Sequence, residues 1–346
     1  MRQKQNVPLA GHTTLRLGGP AARLLEIESV DELVATVRDL DARGEPVLVL
    51  GGGSNLVVAD EGFAGTVLKL AFDAIAISSG EVIVDAGADW DRLVARAIDE
   101  GWRGVECLSG IPGSVGATPM QNVGAYGQEV SQTISRVRVL DRSTGAVSWI
   151  ASQDCAFAYR SSRFRGQSRY IVVQVAFAFP HDSQNRLGSP IRYAELSRAL
   201  GIAEGERAPL REVRDVVLRL RGAKGMLLDP SDPESVSAGS FFVNPIVDAA
   251  AVARIERTAG AAVPRFPMPD GSVKVPAAWL IERAGFAKGY GRGGVSISRK
   301  HALALVHRGN GSTRELLALA REVRDTVQSR FGVELSAEPI MVGCAL

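Results

Sequence analysis

The sequence predicts an α+β fold divided among two or three domains, and three observations predict it. The chain has 346 residues, more than one ordinary hydrophobic core organises. Its apolar residues recur with helical spacing in some segments and strand-like spacing in others, in mixed order. Residues 222–239, with the cluster Asp229-Pro230-Ser231-Asp232-Pro233, break the periodic pattern and mark a domain boundary.

Each element has a local reason. Residues 22–27 read as a strand. Ser29-Val30-Asp31-Glu32 is a capping box, in which the serine hydroxyl and the glutamate three residues on satisfy free N–H groups at a helix start. The helix it opens has Leu33, Val34, Val37 and Leu40 on one face and stops at Gly44. Pro46 leads into a short buried strand, residues 47–50, which completes a β-α-β unit. Strands are expected at 67–70 and 82–86, and a helix at 90–100, closed by Gly101. Residues 137–140 and 146–150 flank Asp141-Arg142-Ser143-Thr144-Gly145 as a hairpin. A long strand at 170–179 is closed by Pro180. Residues 210–221 form an amphipathic helix with Val213, Val216, Val217 and Leu220 inward. Beyond the boundary, helices are expected at 247–258, 277–284 and 314–329. The last has its own capping box, Ser312-Thr313-Arg314-Glu315, and a final strand precedes Glu338.

Composition excludes several classes. Hydrophobic residues at 46% and charged residues at 23% are ordinary for a globular protein, which argues against disorder. A formal net charge of +2, with acidic and basic residues interspersed, gives no field for nucleic acid or a membrane surface. Cys107, Cys155 and Cys344 are too sparse for a disulfide framework and suit a reducing cytosol. The four histidines form no HxxxH pair and the cysteines no CxxC pair, so no metal site is expected. The N-terminal residues lack the apolar run of a signal peptide, and no stretch approaches the length of a membrane span. The expectation is a cytoplasmic protein whose chemistry comes from side chains or an organic cofactor.

Five segments carry residues suited to chemistry. Gly51-Gly52-Gly53-Ser54-Asn55 follows a strand and precedes another β-like run, so it is not the strand–loop–helix of a Rossmann fingerprint. It reads either as a tight inter-strand turn or as a backbone cradle for phosphate. The stretch from Ser109 to Gly127 is long, glycine-rich and irregular, which in a compact domain marks function or disorder. Its Ile111, Val115, Met120 and Val123 argue for order. Two ordered loops of this kind suit a dinucleotide pyrophosphate. Ser240, in Gly239-Ser240-Phe241-Phe242-Val243-Asn244-Pro245, reads as an ordinary strand serine; it is in no nucleophile elbow, and with so few histidines a Ser-His-Asp hydrolase is unsupported. Arg160, in Tyr159-Arg160-Ser161, is either a surface residue or a fork for a carboxylate or phosphate. Glu338, beside Pro339 in an apolar C-terminal strand, lies at a strand end in water or is partly buried with a partner.

Taken in order, these motifs resemble the MurB family nearly end to end. They run Gly51–Asn55, Ile111-Pro112-Gly113-Ser114-Val115-Gly116, Gln121-Asn122-Val123-Gly124-Ala125-Tyr126-Gly127, Tyr159-Arg160, Gly239–Pro245 and Glu338-Pro339. The resemblance implies three domains: a two-domain FAD-binding module similar to p-cresol methylhydroxylase-type flavoproteins, and a substrate-binding α+β domain. The boundaries expected are 1–70, 71–222 and 223–334, with residues 335–346 returning to the second. It implies non-covalent FAD, with Gly51, Gly52, Gly53, Ser54, Asn55, Gly113, Ser114, Gly116, Asn122 and Gly124 as binding positions. NADPH is implied as hydride donor, and the enolpyruvyl group of UDP-N-acetylenolpyruvoylglucosamine as acceptor, in peptidoglycan synthesis. Arg160 and Glu338 match the residues that stabilise an enolate-like intermediate, and Ser240 matches the proton donor. Ile191-Arg192-Tyr193-Ala194-Glu195-Leu196 is similar to the version of the family with a substrate-covering tyrosine, here Tyr193. Lys224 and Asn244 match nucleotide-side contacts. The chain departs from the pattern at Arg283, where glutamine is usual, and in a longer segment at 225–237. Partners beyond the UDP-sugar and NADPH are not expected, and the chain is expected to be a monomer.

Overall fold

The computed structural model describes residues 2–181 and 186–346. It is an α+β protein that separates into two compact units. The first comprises residues 1–7, 21–53 and 64–223; the second comprises residues 8–20, 54–63 and 224–346.

The first unit contains two sheets. One has the strand order Arg2–Pro8, Pro20–Ile27, Phe63–Leu70, Val47–Leu50. Val47–Leu50 lies parallel to Phe63–Leu70, with Leu50 opposite Lys69, so the chain between them, residues 51–62, must cross back to the start of the sheet. Helix α1, Val30–Ala42, lies in that unit, and Ser29 caps it as the sequence requires: Glu32 N–H donates to Ser29 Oγ at 3.1 Å, but the Glu32 carboxylate accepts the Glu28 N–H at 2.7 Å instead of that of Ser29, so the expected capping box is only half made. The other sheet is antiparallel, in the order Ala146–Ala151, Ile134–Asp141, Tyr170–Phe177, Glu81–Asp85, Ile75–Ser78. Helix α2, Trp90–Glu100, is capped by Asp89 and closed by Gly101 at φ +78°, the left-handed C-cap glycine accepts without strain. A single core joins these elements, with Ile27, Leu33, Val84, Trp90, Leu93, Val137, Val175 and Phe177 all buried. Helix α3, Ala194–Leu200, and helix α4, Leu210–Ala223, complete the unit.

The second unit has an antiparallel sheet in the order Ser237–Ser240, Ala304–His307, Val295–Ile297, Gly291–Arg292. Its helices are α5, Ala249–Ala259, α6, Ala277–Ala284, and α7, Thr313–Phe331. The capping box at Ser312 and Glu315 forms in full. The core gathers Phe241, Phe242, Leu280, Ile281, Ile297, Leu316, Val323 and Phe331.

Three expectations need correction. The strand expected before Glu338 lies after it: Ile340–Val342 pairs in parallel with Leu56–Val58, and only an isolated bridge, Ala337 to Phe242, precedes Glu338. The C-terminal strand therefore joins residues 56–58 and not the segment 71–222; the ladder begins at Asn55, whose carbonyl accepts the Ile340 N–H. The strand Arg2–Pro8 was not expected; its side chains are polar and exposed, so no alternation announces it.

His307 ends a strand of the second unit and is 7% exposed. Its Nε2 accepts the Gly311 N–H at 3.0 Å, which leaves Nδ1 protonated and donating to the Leu15 carbonyl at 3.1 Å. Burial holds its pKa below the ordinary value, against the pull of the Leu15 carbonyl. The unfolded chain therefore takes up a proton that the folded chain resists. Its contribution to stability is complete above the ordinary histidine range, near pH 6.5, and declines as pH falls through that range towards the depressed folded value. The thermal midpoint should drop between pH 7.5 and 5.5, and His307→Gln should flatten that drop. Parallel pH–melting curves for the two proteins check this.

Candidate active site

The first unit brings the two glycine-rich loops together. Gly51 follows directly from the strand Val47–Leu50. A Cβ on Gly51 would lie 2.5 Å from Ser114 Oγ, and one on Gly52 would lie 2.6 Å from Gly113 Cα. The loops thus meet backbone to backbone, at a distance only glycine allows. Gly53 and Gly113 sit at φ +63° and +133°, where an L side chain is strained. The second loop is fixed from behind: Val115 N–H donates to Ala88 at 2.8 Å, Gly116 N–H to Ala86 at 2.9 Å, and Trp90 N–H to Gly113 at 3.1 Å. A Cβ on Gly116 would fall 2.5 Å from that of Ala86. Asp91 on α2 accepts the Gly110 N–H at 2.6 Å and both amino groups of Arg214 on α4, at 2.7 and 2.8 Å. Burial pushes the Asp91 carboxyl up, but the Arg214 fork and the Gly110 N–H hold it below its ordinary value. Among the described residues, the Gly52 and Gly53 N–H groups donate to no other group. Unpaired amides on a backbone without side chains are what a dinucleotide pyrophosphate requires, so this pair of loops fits FAD.

The expected cofactor position Asn122 has a more local task. It is 1% exposed, at φ +48°. Its Nδ2 donates to Glu129 Oε2 at 2.8 Å and to the Ala158 carbonyl at 3.2 Å, while its Oδ1 accepts the Ser131 N–H at 3.1 Å. With the side-chain amide engaged by protein at both ends, Asn122 shapes the loop, and any ligand contact falls to its backbone.

Ala158 and Ser161 exchange backbone hydrogen bonds at 3.1 Å, which makes residues 158–161 a tight turn with Arg160 inside it. Arg160 is left-handed, at φ +50°, an expensive conformation for a residue with a Cβ. Its Nη2 donates to the Gly124 carbonyl at 2.7 Å, and its guanidinium lies over the Tyr159 ring at 5.4 Å. A Cβ on Gly124 would come 3.0 Å from Arg160 Nη1, so the glycine leaves room for the guanidinium. Tyr193 stands at the N-terminus of α3 and packs edge-on against Tyr126, with ring centroids 5.5 Å apart and planes at 88°. Burial raises both phenols, Tyr126 to about 12, so each keeps its hydroxyl proton near neutral pH.

The second unit carries the remaining residues. Ser237–Ser240 pairs with Ala304–His307, and on the chain's other side Glu338 N–H donates to Phe241 at 2.9 Å and Val243 N–H to Ser336 at 3.0 Å. Ser240 and Glu338 are therefore neighbours on adjacent extended segments, both half-buried. Asn55 joins them: its Nδ2 donates to the Glu338 carbonyl at 3.3 Å, and its own carbonyl accepts the Ile340 N–H at 2.9 Å. Ser54 is steadied by Thr14, whose hydroxyl bridges the carbonyls of Ser54 and Ser237 at 3.4 and 2.7 Å. Asn244 Oδ1 accepts the Ala277 N–H at the start of α6 at 2.8 Å, which leaves the amide nitrogen as the end that can meet a ligand. Lys224, half-buried, follows immediately after α4. Arg283, where the family pattern has glutamine, is exposed and lies over Trp279 of its own helix at 5.5 Å.

Comparison with known proteins gives the family. Residues 21–151 match a family model described as FAD binding domain. Residues 231–342 match the C-terminal domain of UDP-N-acetylenolpyruvoylglucosamine reductase. The reductase of that name from Thermobifida fusca is 55% identical over 99% of this chain and 98% of its own length. The chain belongs to the UDP-N-acetylenolpyruvoylglucosamine reductase family. The Streptomyces coelicolor reductase is 51% identical, over 100% of this chain and 92% of its own. A crystal structure of the reductase from Thermus caldophilus superimposes with a TM-score of 0.67 at 26% identity, covering 99% of this chain and 98% of that one.

Within this reductase family member, several site features had no sequence signal of their own. Asp91 and Arg214 are far apart in the chain, and only the fold shows that they brace the second glycine loop. Glu106 was missed as well, although a carboxylate inside the apolar run Val105-Glu106-Cys107-Leu108 is a usable signal. The crowded loop contact gives a direct test. Gly52→Ala should fold, with an unchanged far-ultraviolet circular dichroism spectrum, yet purify with less than about a tenth of the flavin, since a Cβ cannot share space with Gly113. Absorbance near 450 nm relative to 280 nm measures it.

Proposed function

We propose that this chain reduces the enolpyruvyl group of UDP-N-acetylenolpyruvoylglucosamine to give UDP-N-acetylmuramate, with NADPH as hydride donor and non-covalent FAD as carrier, in peptidoglycan synthesis. Full-length family membership at 55% identity and the FAD binding domain match support the reaction. The observation that carries the chemistry is the pairing of the Ser240 strand with the segment that ends in Glu338. The chemistry the flavin supplies when bound is hydride carriage from NADPH to the vinyl carbon of the ether.

In the first unit the backbone at Gly51–Gly53, Gly113, Ser114, Gly116 and Gly124 would hold the FAD; in the second, Ser54 and Asn55 are assigned as polar contacts to it. Arg160, in the first unit, is assigned to the substrate carboxylate, where negative charge develops, and Glu338, in the second unit, to stabilising the enolate-like intermediate. Ser240 then gives its Oγ proton to the carbon beside the carboxylate: the O–H bond breaks, the C–H bond forms, and water returns a proton to the oxygen. Serine is a weak acid in water, but an enolate is strongly basic and the strand fixes the hydroxyl. Tyr193, in the first unit, is assigned to covering the nucleotide diphosphate, and Lys224 and the Asn244 amide nitrogen, in the second, are assigned as nucleotide contacts.

Three functional domains, 1–70, 71–222 and 223–334, suit this division of work. The two separate sheets of the first compact unit support splitting it near residue 70. No helix among the described residues is long and apolar enough to cross a membrane. The proposed setting is a monomer in the cytoplasm, where the wall precursors of a growing cell are made.

Two substitutions test the roles. Ser240→Ala should bind FAD and be reduced by NADPH at a near-normal rate, while reoxidation by the enolpyruvyl sugar nucleotide slows by at least ~10²-fold, the range for a positioned general acid. Stopped-flow spectra that follow bleaching and recolouring separately decide; recolouring within a few-fold of wild type would remove Ser240 from the proton step. Tyr193→Phe should raise KM for the sugar nucleotide and leave NADPH-driven bleaching unchanged. Equal losses in both half-reactions would make Tyr193 a structural residue.

A further inference from the structure

Glu106 is 0% exposed, in the first unit. Its Oε1 accepts the Ser189 N–H at 2.6 Å and the Gln128 amide at 2.8 Å, and its Oε2 accepts the Gly104 N–H at 2.6 Å. Gln128 closes the network by accepting the Cys107 N–H at 2.8 Å. Among the described residues no lysine or arginine pairs with Glu106, so N–H donors from three separate segments compensate its burial.

Those segments lead to the two tyrosines. Ser189 lies four residues before Tyr193, and Gln128 two residues after Tyr126, on the short hairpin Gly124–Ala125 to Gln128–Glu129. The rings then meet edge-on at 5.5 Å, among Cys107, Ile191, Leu196 and Val213. The approach to Tyr193 is close to the carboxylate throughout: a Cβ on Gly188 would lie 3.0 Å from Glu106 Oε1. Downstream the same segment is held by Gly188 N–H to Ala208 at 2.9 Å and Ile191 N–H to Glu206 at 2.8 Å. Glu106 is thus the shared anchor of both chains that bear the ring pair.

We propose that Glu106 is a positioning residue for substrate capture: it fixes the Tyr193 segment through Ser189 and the Tyr126 hairpin through Gln128, and so sets the ring pair that receives the sugar nucleotide. The inference rests on Tyr193 being the substrate-covering residue. It assigns Glu106 no contact with substrate or cofactor.

Glu106→Asp withdraws both oxygens by about 1.5 Å, one C–C bond, which takes the short contacts beyond hydrogen-bonding range. The dissociation constant of the enolpyruvyl sugar nucleotide for the oxidised holoenzyme, read by calorimetric titration, should rise about 10-fold or more, because a small misplacement of a positioning group is costly. Flavin bleaching by NADPH should stay within about two-fold. Glu106→Gln keeps the reach and one oxygen for the paired donors, so its loss should be smaller. The deciding measurement is the double-mutant cycle with Tyr193→Ala. If Glu106 acts through Tyr193, Glu106→Asp adds less than about two-fold in the Tyr193→Ala background. The same loss in both backgrounds, or no loss from Glu106→Asp beside a real one from Tyr193→Ala, overturns the inference and spares the lid reading. No loss from Tyr193→Ala alone overturns both. Should Glu106→Asp not fold, Gln128→Met, which cuts the Tyr126 side alone, enters the same cycle with the same outcomes.

Discussion

The contact between Gly51-Gly52 and Gly113-Ser114 is the constraint on which the cofactor-facing half of the molecule depends. The main chains at Gly52 and Gly113 approach so closely that a methyl group on Gly52 would collide with the Gly113 backbone. Such an approach must be imposed from outside, since glycine alone loses more entropy on ordering than any other residue. Here the parallel pairing of Val47–Leu50 delivers one loop, and the carbonyls of Ala86 and Ala88 hold the other. The Asp91–Arg214 pair braces the second loop at Gly110 and links it to α4. Sheet, helix and loop are thus coupled by main-chain hydrogen bonds and by one partly buried ion pair, Asp91–Arg214, set behind the loops.

The second unit solves a different problem, which is to present a few side chains with fixed geometry. Buried Phe241 and Phe242 anchor the strand on which Ser240 and Asn244 sit. The segment 336–338 pairs with it on one side and the strand Ala304–His307 on the other, so the hydroxyl and carboxylate are placed by backbone ladders. Asn244 serves both tasks at once, with one end of its amide closing the start of α6. The chain passes from one unit to the other between Gly53 and Ser54, so the glycine motif read as one loop in the sequence supplies backbone to one unit and side chains to the other.

Much of this was legible in the sequence because it is local. The serine N-cap of α1, the capping box of α7, the glycine that ends α2 and the hairpin around Asp141–Gly145 follow from a few neighbouring residues, and each formed. The family's motifs also give the chemistry, because their order along the chain is specific. What was not legible depends on distant partners. Nothing in Arg2–Pro8 alternates, and only its neighbour Pro20–Ile27 makes it a strand. The C-terminal strand was displaced past Glu338 because its partner, Leu56–Val58, lies nearly three hundred residues away. Asn122 looked like a ligand residue among glycines, yet its amide is bound by Glu129, Ala158 and Ser131.

Arg160 occupies a left-handed backbone position that glycine or asparagine would fill with less strain. Relieving that strain is worth about 1–2 kcal/mol, a large share of a domain's margin. Laboratory evolution under heat alone, with no demand for turnover, would therefore tend to replace this arginine. A hardened variant selected in that way would keep the fold and lose the guanidinium. Any thermostabilisation campaign on this scaffold should hold position 160 fixed, and Tyr126, at φ +48°, belongs under the same protection.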